Sequence, residues 1–193
     1  MGTEISSLDQ EKREKILRSA KELFSRFGFK KTTVDEIAEA AGVSKRTMYE
    51  VFTNKESILA DLVMAEGLAF RKMSVGQMKL IDDPAQKLRL LCDLSTQYFD
   101  ENPFLGQVLA DDAGLYTPFL GNEIRVLEDG MRGLFAVILK EGVRQGVFRE
   151  MNVTANAACL FVLYRGFTYR KTEVEAGNQE WVEFILRAVG AQA

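Results

Sequence analysis

Between residues 33 and 52 the sequence spells two helix starts separated by a single glycine. Thr33 is followed three residues later by Glu36, the spacing of a capping box, in which a hydroxyl accepts from the third helical N–H and a carboxylate reaches back. Gly42 then supplies the residue type that takes a positive φ without steric cost, and Ser44 stands where a second cap is needed. Ile37, Ala38, Val43, Met48 and Phe52 fall on one side of the pair. The spacing predicts two short helices meeting at a sharp turn over a shared apolar face.

The polar side of the second helix is as informative as the apolar one. Lys45, Arg46, Thr47 and, further round, Tyr49 point away from that face. A helix set with its first turn in the major groove of DNA presents such side chains to base edges and phosphates. Arginine or lysine suits guanine, and a threonine methyl suits thymine. The spacing alone leaves a plain helical hairpin with a charged outer face open as well.

The rest of the chain reads as helix. Only Pro84, Pro103 and Pro118 interrupt it, and apolar residues recur at helical spacing before and after them. Ile16, Ala20, Leu23, Phe24 and Phe27 form one face of a first helix over about 9–27, which Gly28 ends. Further helices are expected from Thr53–Asn54 to about 78, from Pro84 to about 100, a short one from Pro103, and then about 120–145, 153–171 and 179–189. Residues 111–118 read as a loop. No segment reads as a strand, so the fold class is all-α, with about nine helices: a helix-turn-helix unit over 1–54 and a helical body over 55–193.

Composition removes several alternatives. The chain has no histidine, so the commonest general base is absent. It also lacks a glycine-rich phosphate loop and a nucleophile-elbow motif, and an enzyme is not expected. Cys92 and Cys159 lie inside apolar helical patterns and read as buried thiols; no metal and no cofactor are expected. No apolar run approaches the ~18 residues of a membrane span, and the polar start has no signal-peptide core. Met1-Gly2 with Ser6 fits a loose lipidation pattern that no polybasic segment supports. A soluble cytoplasmic protein is the expectation. Net charge is −3, divided as +1 over residues 1–60 and −4 over 61–193. That is a small bias, but DNA affinity follows the number of phosphates contacted rather than net charge.

The wording of the first 65 residues is more specific than its spacing. Phe27-Gly28-Phe29, Thr33-Val34-Asp35-Glu36-Ile37-Ala38, Ala41-Gly42-Val43-Ser44-Lys45, Thr47-Met48-Tyr49 and Phe52-Thr53-Asn54-Lys55-Glu56 together resemble the N-terminal domain of tetracycline-repressor (TetR) family regulators. Glu141 to Arg149 is similar to the end of that family's long seventh helix. The resemblance implies a homodimeric transcriptional regulator, usually a repressor, that binds double-stranded DNA and answers to a small-molecule effector. Control by a protein partner instead of a small molecule is the alternative. It places Thr33, Tyr49 and Lys55 at phosphates and Ser44, Lys45, Arg46 and Thr47 toward the groove. Glu50-Val51 departs from the family pattern, and a carboxylate there would repel phosphate unless it pairs with Arg46 four residues earlier.

In the body, the resemblance implies an effector pocket among the middle helices. Cys92, Ser95, Phe99, Phe104, Met131, Phe161 and Arg165 are the candidate lining. Arg165, inside an apolar helix, reads either as a partner for an anionic effector or as one half of an ion pair with an acid of the 120–145 helix. Pairing of two copies is expected through the last two helices, with Ala157, Ala158, Phe161, Trp181, Phe184 and Ile185 at the interface.

Overall fold

The computed structural model describes residues 7–111, 114–169 and 178–190. Within them nine helices follow one another: α1 Ser7–Phe27, α2 Val34–Ala40, α3 Lys45–Val51, α4 Lys55–Met78, α5 Pro84–Glu101, α6 Pro103–Ala110, α7 Thr117–Gln145, α8 Val153–Thr168 and α9 Asn178–Val189. No strand is present among the described residues; the one extended contact is an isolated antiparallel bridge between Phe148 and Gly190. The N-terminal lipidation pattern lies outside the described residues.

Local chemistry sets the helix ends. Gly28, Gly42 and Gly146 take φ of 80°, 66° and 73°, each just past a helix, where a side chain would be strained. Asp83 accepts from Ala85 N ahead of Pro84, and Asn152 accepts from Ala155 N. The start of α4 falls where the sequence reading places it. Asn54 is the cap, accepting from Ser57 N at 2.7 Å while Ser57 Oγ accepts from Asn54 N at 3.3 Å, and Thr53 lies one residue outside. The long helix begins at Thr117 rather than near 120. Asp111, in a left-handed conformation, gathers the Tyr116 and Thr117 N–H groups at 2.9 and 2.7 Å and the Thr117 hydroxyl as well.

Contacts divide the chain into residues 1–66 and 67–193. In the first unit, α1, α2 and α3 pack together over Ile16, Ala20, Phe24, Ile37, Met48 and Phe52, all buried. Two ion pairs tie α1 to the start of α4, Arg13 with Asp61 and Lys21 with Glu66, the latter at 2.8 Å. In the second unit, α5 packs on α7, α8 and α9, and α7 runs along α8. Gly142 is required where α7 ends, because a Cβ there would stand 2.0 Å from the buried Phe148 ring.

Candidate nucleic-acid interface

The shared apolar face of α2 and α3 is formed as the spacing predicts: Ile37, Ala38, Met48 and Phe52 are buried, and Val43 is half-buried. Burying Met48 fully fixes the rotation of α3 about its axis. Ser44, Lys45, Arg46 and Tyr49 are thereby exposed and Thr47 partly so. The capping box is complete, with Thr33 N and Thr33 Oγ both donating to Glu36 Oε2 at 2.7 and 2.8 Å. Those bonds hold the Glu36 carboxyl below its ordinary range, the backbone bond contributing most. Ser44 accepts from Thr47 N at 3.0 Å, and the two hydroxyls lie 2.9 Å apart.

Each cation of α3 already has a partner. Lys45 Nζ meets Asp35 Oδ2 at 2.5 Å, and Arg46 Nε meets Glu50 Oε1 at 2.9 Å. The hydrogen bond that each cation donates to its carboxylate is the main reason both are held above their ordinary pKa. The pairing of Glu50 with Arg46 is the condition under which the sequence tolerates an acid there. Lys55 is turned inward: its ammonium donates to the carbonyls of Phe29 and Thr32, each at 2.8 Å, and stands 4.5 Å from the Phe29 ring centroid.

In the second unit, the candidate pocket residues Cys92, Ser95, Phe99, Phe104 and Phe161 are buried, and Met131 and Arg165 are half-buried. An aromatic cluster connects several of them: Phe99 lies 4.9 Å from Tyr169, Tyr169 lies 5.6 Å from Tyr164, and Tyr164 contacts Phe135 and Phe161. The Tyr164 hydroxyl faces Ser95, Thr168 and Tyr169 without a well-formed hydrogen bond. Burial pushes the Tyr164, Tyr169 and Cys92 groups far up, so all three are neutral. Arg165 pairs with Glu128 of α7 at 3.2 Å, and Arg132 lies 4.0 Å from the same carboxylate. Tyr164, Tyr169, Phe135 and Glu128 are absent from the sequence list. The only signal for any of them is Arg165 itself, which demands an acid on α7.

The residues expected at the pairing surface divide by burial. Ala157, Phe161, Trp181 and Ile185 are each at most 5% exposed within the single chain, packed into its own core, and have almost no surface to offer a second copy. Ala158 and Phe184 lie on the outer side, and the outward stripe of α8 continues through Ala155, Cys159 and Val162. Cys159 is therefore exposed, against the expectation of two buried thiols.

A capped helix, a glycine turn and a second helix held with its polar side outward define a helix-turn-helix DNA-binding module. Residues 16–62 match the model for bacterial regulatory proteins of the tetR family. The chain is 26% identical over 141 residues to the HTH-type transcriptional repressor NicS of Pseudomonas putida, covering 72% of this chain and 66% of that one. It is 29% identical over 138 residues to the HTH-type transcriptional regulator RutR of Escherichia coli, covering 68% and 63%. The matches thus span just under two thirds of those two relatives. Among solved structures, the fatty acid degradation regulator FadR of Bacillus halodurans superposes with a TM-score of 0.75 at 23% identity, over 91% of this chain and 93% of that one. FadR of Bacillus subtilis, solved with stearoyl-CoA, gives 0.75 at 21% identity, over 90% and 95%. Residues 16–62 thus carry the helix-turn-helix domain of the tetR family, and the curated relatives that the chain resembles are transcriptional regulators.

Proposed function

We propose that the protein is a homodimeric cytoplasmic repressor released from a palindromic operator by a small hydrophobic ligand. The observation that carries the DNA half is the fixed rotation of α3, with Met48 wholly buried and Arg46 88% exposed on the opposite side. Ser44, Lys45, Arg46 and Thr47 face the groove; Thr33 and Tyr49 lie at phosphates. Lys55 acts at one remove, by holding the Phe29–Thr33 connector that presents Thr33. Two copies are needed because one such helix spans too few bases, whereas half-sites about 34 Å apart read a palindrome.

The effector reading rests on the buried aromatic cluster of the second unit. Its polar groups are hydroxyls and a thiol held neutral, and its nearest cations, Arg165 and Arg132, already face Glu128. A neutral apolar ligand with one hydrogen-bonding group suits this interior better than a carboxylate does. Such a ligand releases DNA only by binding the released state more tightly, about 1.4 kcal/mol for each tenfold difference in affinity.

Selection of bound duplexes from random DNA, followed by footprinting, tests the DNA reading. A palindrome should emerge, and Lys45→Ala or Thr47→Ala should lose preference for it over random sequence. Absence of any enriched sequence, or equal loss on operator and random DNA in both variants, would overturn the assigned roles.

A further inference from the structure

The outward face of α2 and α3 carries two acids beside its cations. Asp35 on α2 and Glu50 on α3 are exposed, yet each is bonded to one of the two cations of α3. Lys30 and Lys31, in the connector between α1 and α2, are equally exposed and have no ion pair among the described residues. The acids are thus matched to the two cations that face the groove and not to those of the connector.

We propose that Asp35 and Glu50 are specificity-determining residues, which withhold Lys45 and Arg46 from the phosphates of random DNA and release them only to matching base edges. This rests on the DNA-binding reading above. Nonspecific attraction grows with the number of cations that displace counterions, and a lysine or arginine closed on its own carboxylate brings no net charge to a phosphate. Separating such a pair leaves two groups to satisfy. A G·C pair does so from one place in the major groove: guanine O6 and N7 accept from the cation, and the cytosine amino group donates to the carboxylate. A phosphate can satisfy only the cation and repels the acid. The pairs therefore tax random DNA more than a site that offers both partners.

The test compares wild-type protein with Asp35→Asn, Glu50→Gln and the double variant, and with Glu150→Gln, which removes one exposed charge from the second unit. Fluorescence anisotropy gives affinity for the selected operator and for random duplex of equal length across a salt series. Each single variant should bind random DNA about two- to fivefold more tightly, the range of an exposed ion pair. The slope of log K against log salt should steepen by about 0.9 per cation freed. Operator affinity should move less, so that discrimination falls, and Glu150→Gln should resemble wild type. Equal tightening on both DNAs, no change on random DNA, or an equal effect of Glu150→Gln would overturn the proposal while leaving the DNA reading intact. Wild-type protein that binds no duplex at low salt would overturn both. Because Glu50 caps nothing, its variant stands as the independent arm should Asp35→Asn loosen the start of α2.

Discussion

The ammonium of Lys55 donates to the Phe29 carbonyl at 2.8 Å while lying 4.5 Å from the centroid of the same residue's ring. One side chain thus fastens the start of α4 to the connector that ends in the α2 cap. Hydrogen bonds from a charged donor stabilise by about 1.5–3 kcal/mol each when well formed, and partial exposure reduces that. Lys55→Met, which keeps the stem and removes the charge, should lower stability by about 1–2 kcal/mol in urea unfolding. A variant as stable as wild type would show that the tie is not maintained in solution.

Acid should loosen the start of α7. Burial raises the Asp111 carboxyl, but bonds from the Thr117 hydroxyl and the Tyr116 and Thr117 N–H groups outweigh it and leave the folded value below the ordinary carboxylate range. A depressed folded pKa means that the stabilisation is fully present above the unfolded value and is lost as pH falls through the folded one. Asp111→Asn should therefore be less stable than wild type at pH 7, by about 1 kcal/mol, the size of a lost cap. The gap should close as pH falls below about 4. Thermal melts across pH check this; a gap independent of pH would contradict it.

Pairing of copies is addressed by charge. Val162 and Phe184 are 68% and 63% exposed, and on the dimer reading both become buried. Val162→Glu or Phe184→Glu should leave the monomer fold intact, because both side chains are mostly exposed within one chain, and should shift the protein to monomer in light scattering. Operator affinity should fall with it. Two variants that remain dimeric would place the interface elsewhere.

How far the sequence disclosed this arrangement depended on what each residue type encodes. The α2–α3 pair was legible because caps, a glycine and an apolar stripe are local signals, each with one geometric meaning. The same locality exposed Glu50, whose tolerance required Arg46 one turn away. Arg165 announced its acid but not which one, since a long side chain reaches several positions of a neighbouring helix. Which face of α8 is turned outward was not legible, because bulk and apolarity were the only marks used for a pairing surface. Phe161 and Trp181 have both, but a monomer core selects for the same properties; the outward stripe is instead made of Ala155, Ala158, Cys159 and Val162. The bonds of Lys55 were not legible for a related reason: spacing places its Cα, whereas four rotatable bonds decide where its charge goes.

The different fates of the two cysteines have a practical consequence. Cys92 is sealed in the interior, its thiol kept protonated by burial, whereas Cys159 stands open on the outer side of α8. The native chain thus holds one site for a maleimide dye, with no engineering required. The rate at which that site is labelled, followed against protein concentration, becomes a direct meter of how much of the population has its α8 surface covered.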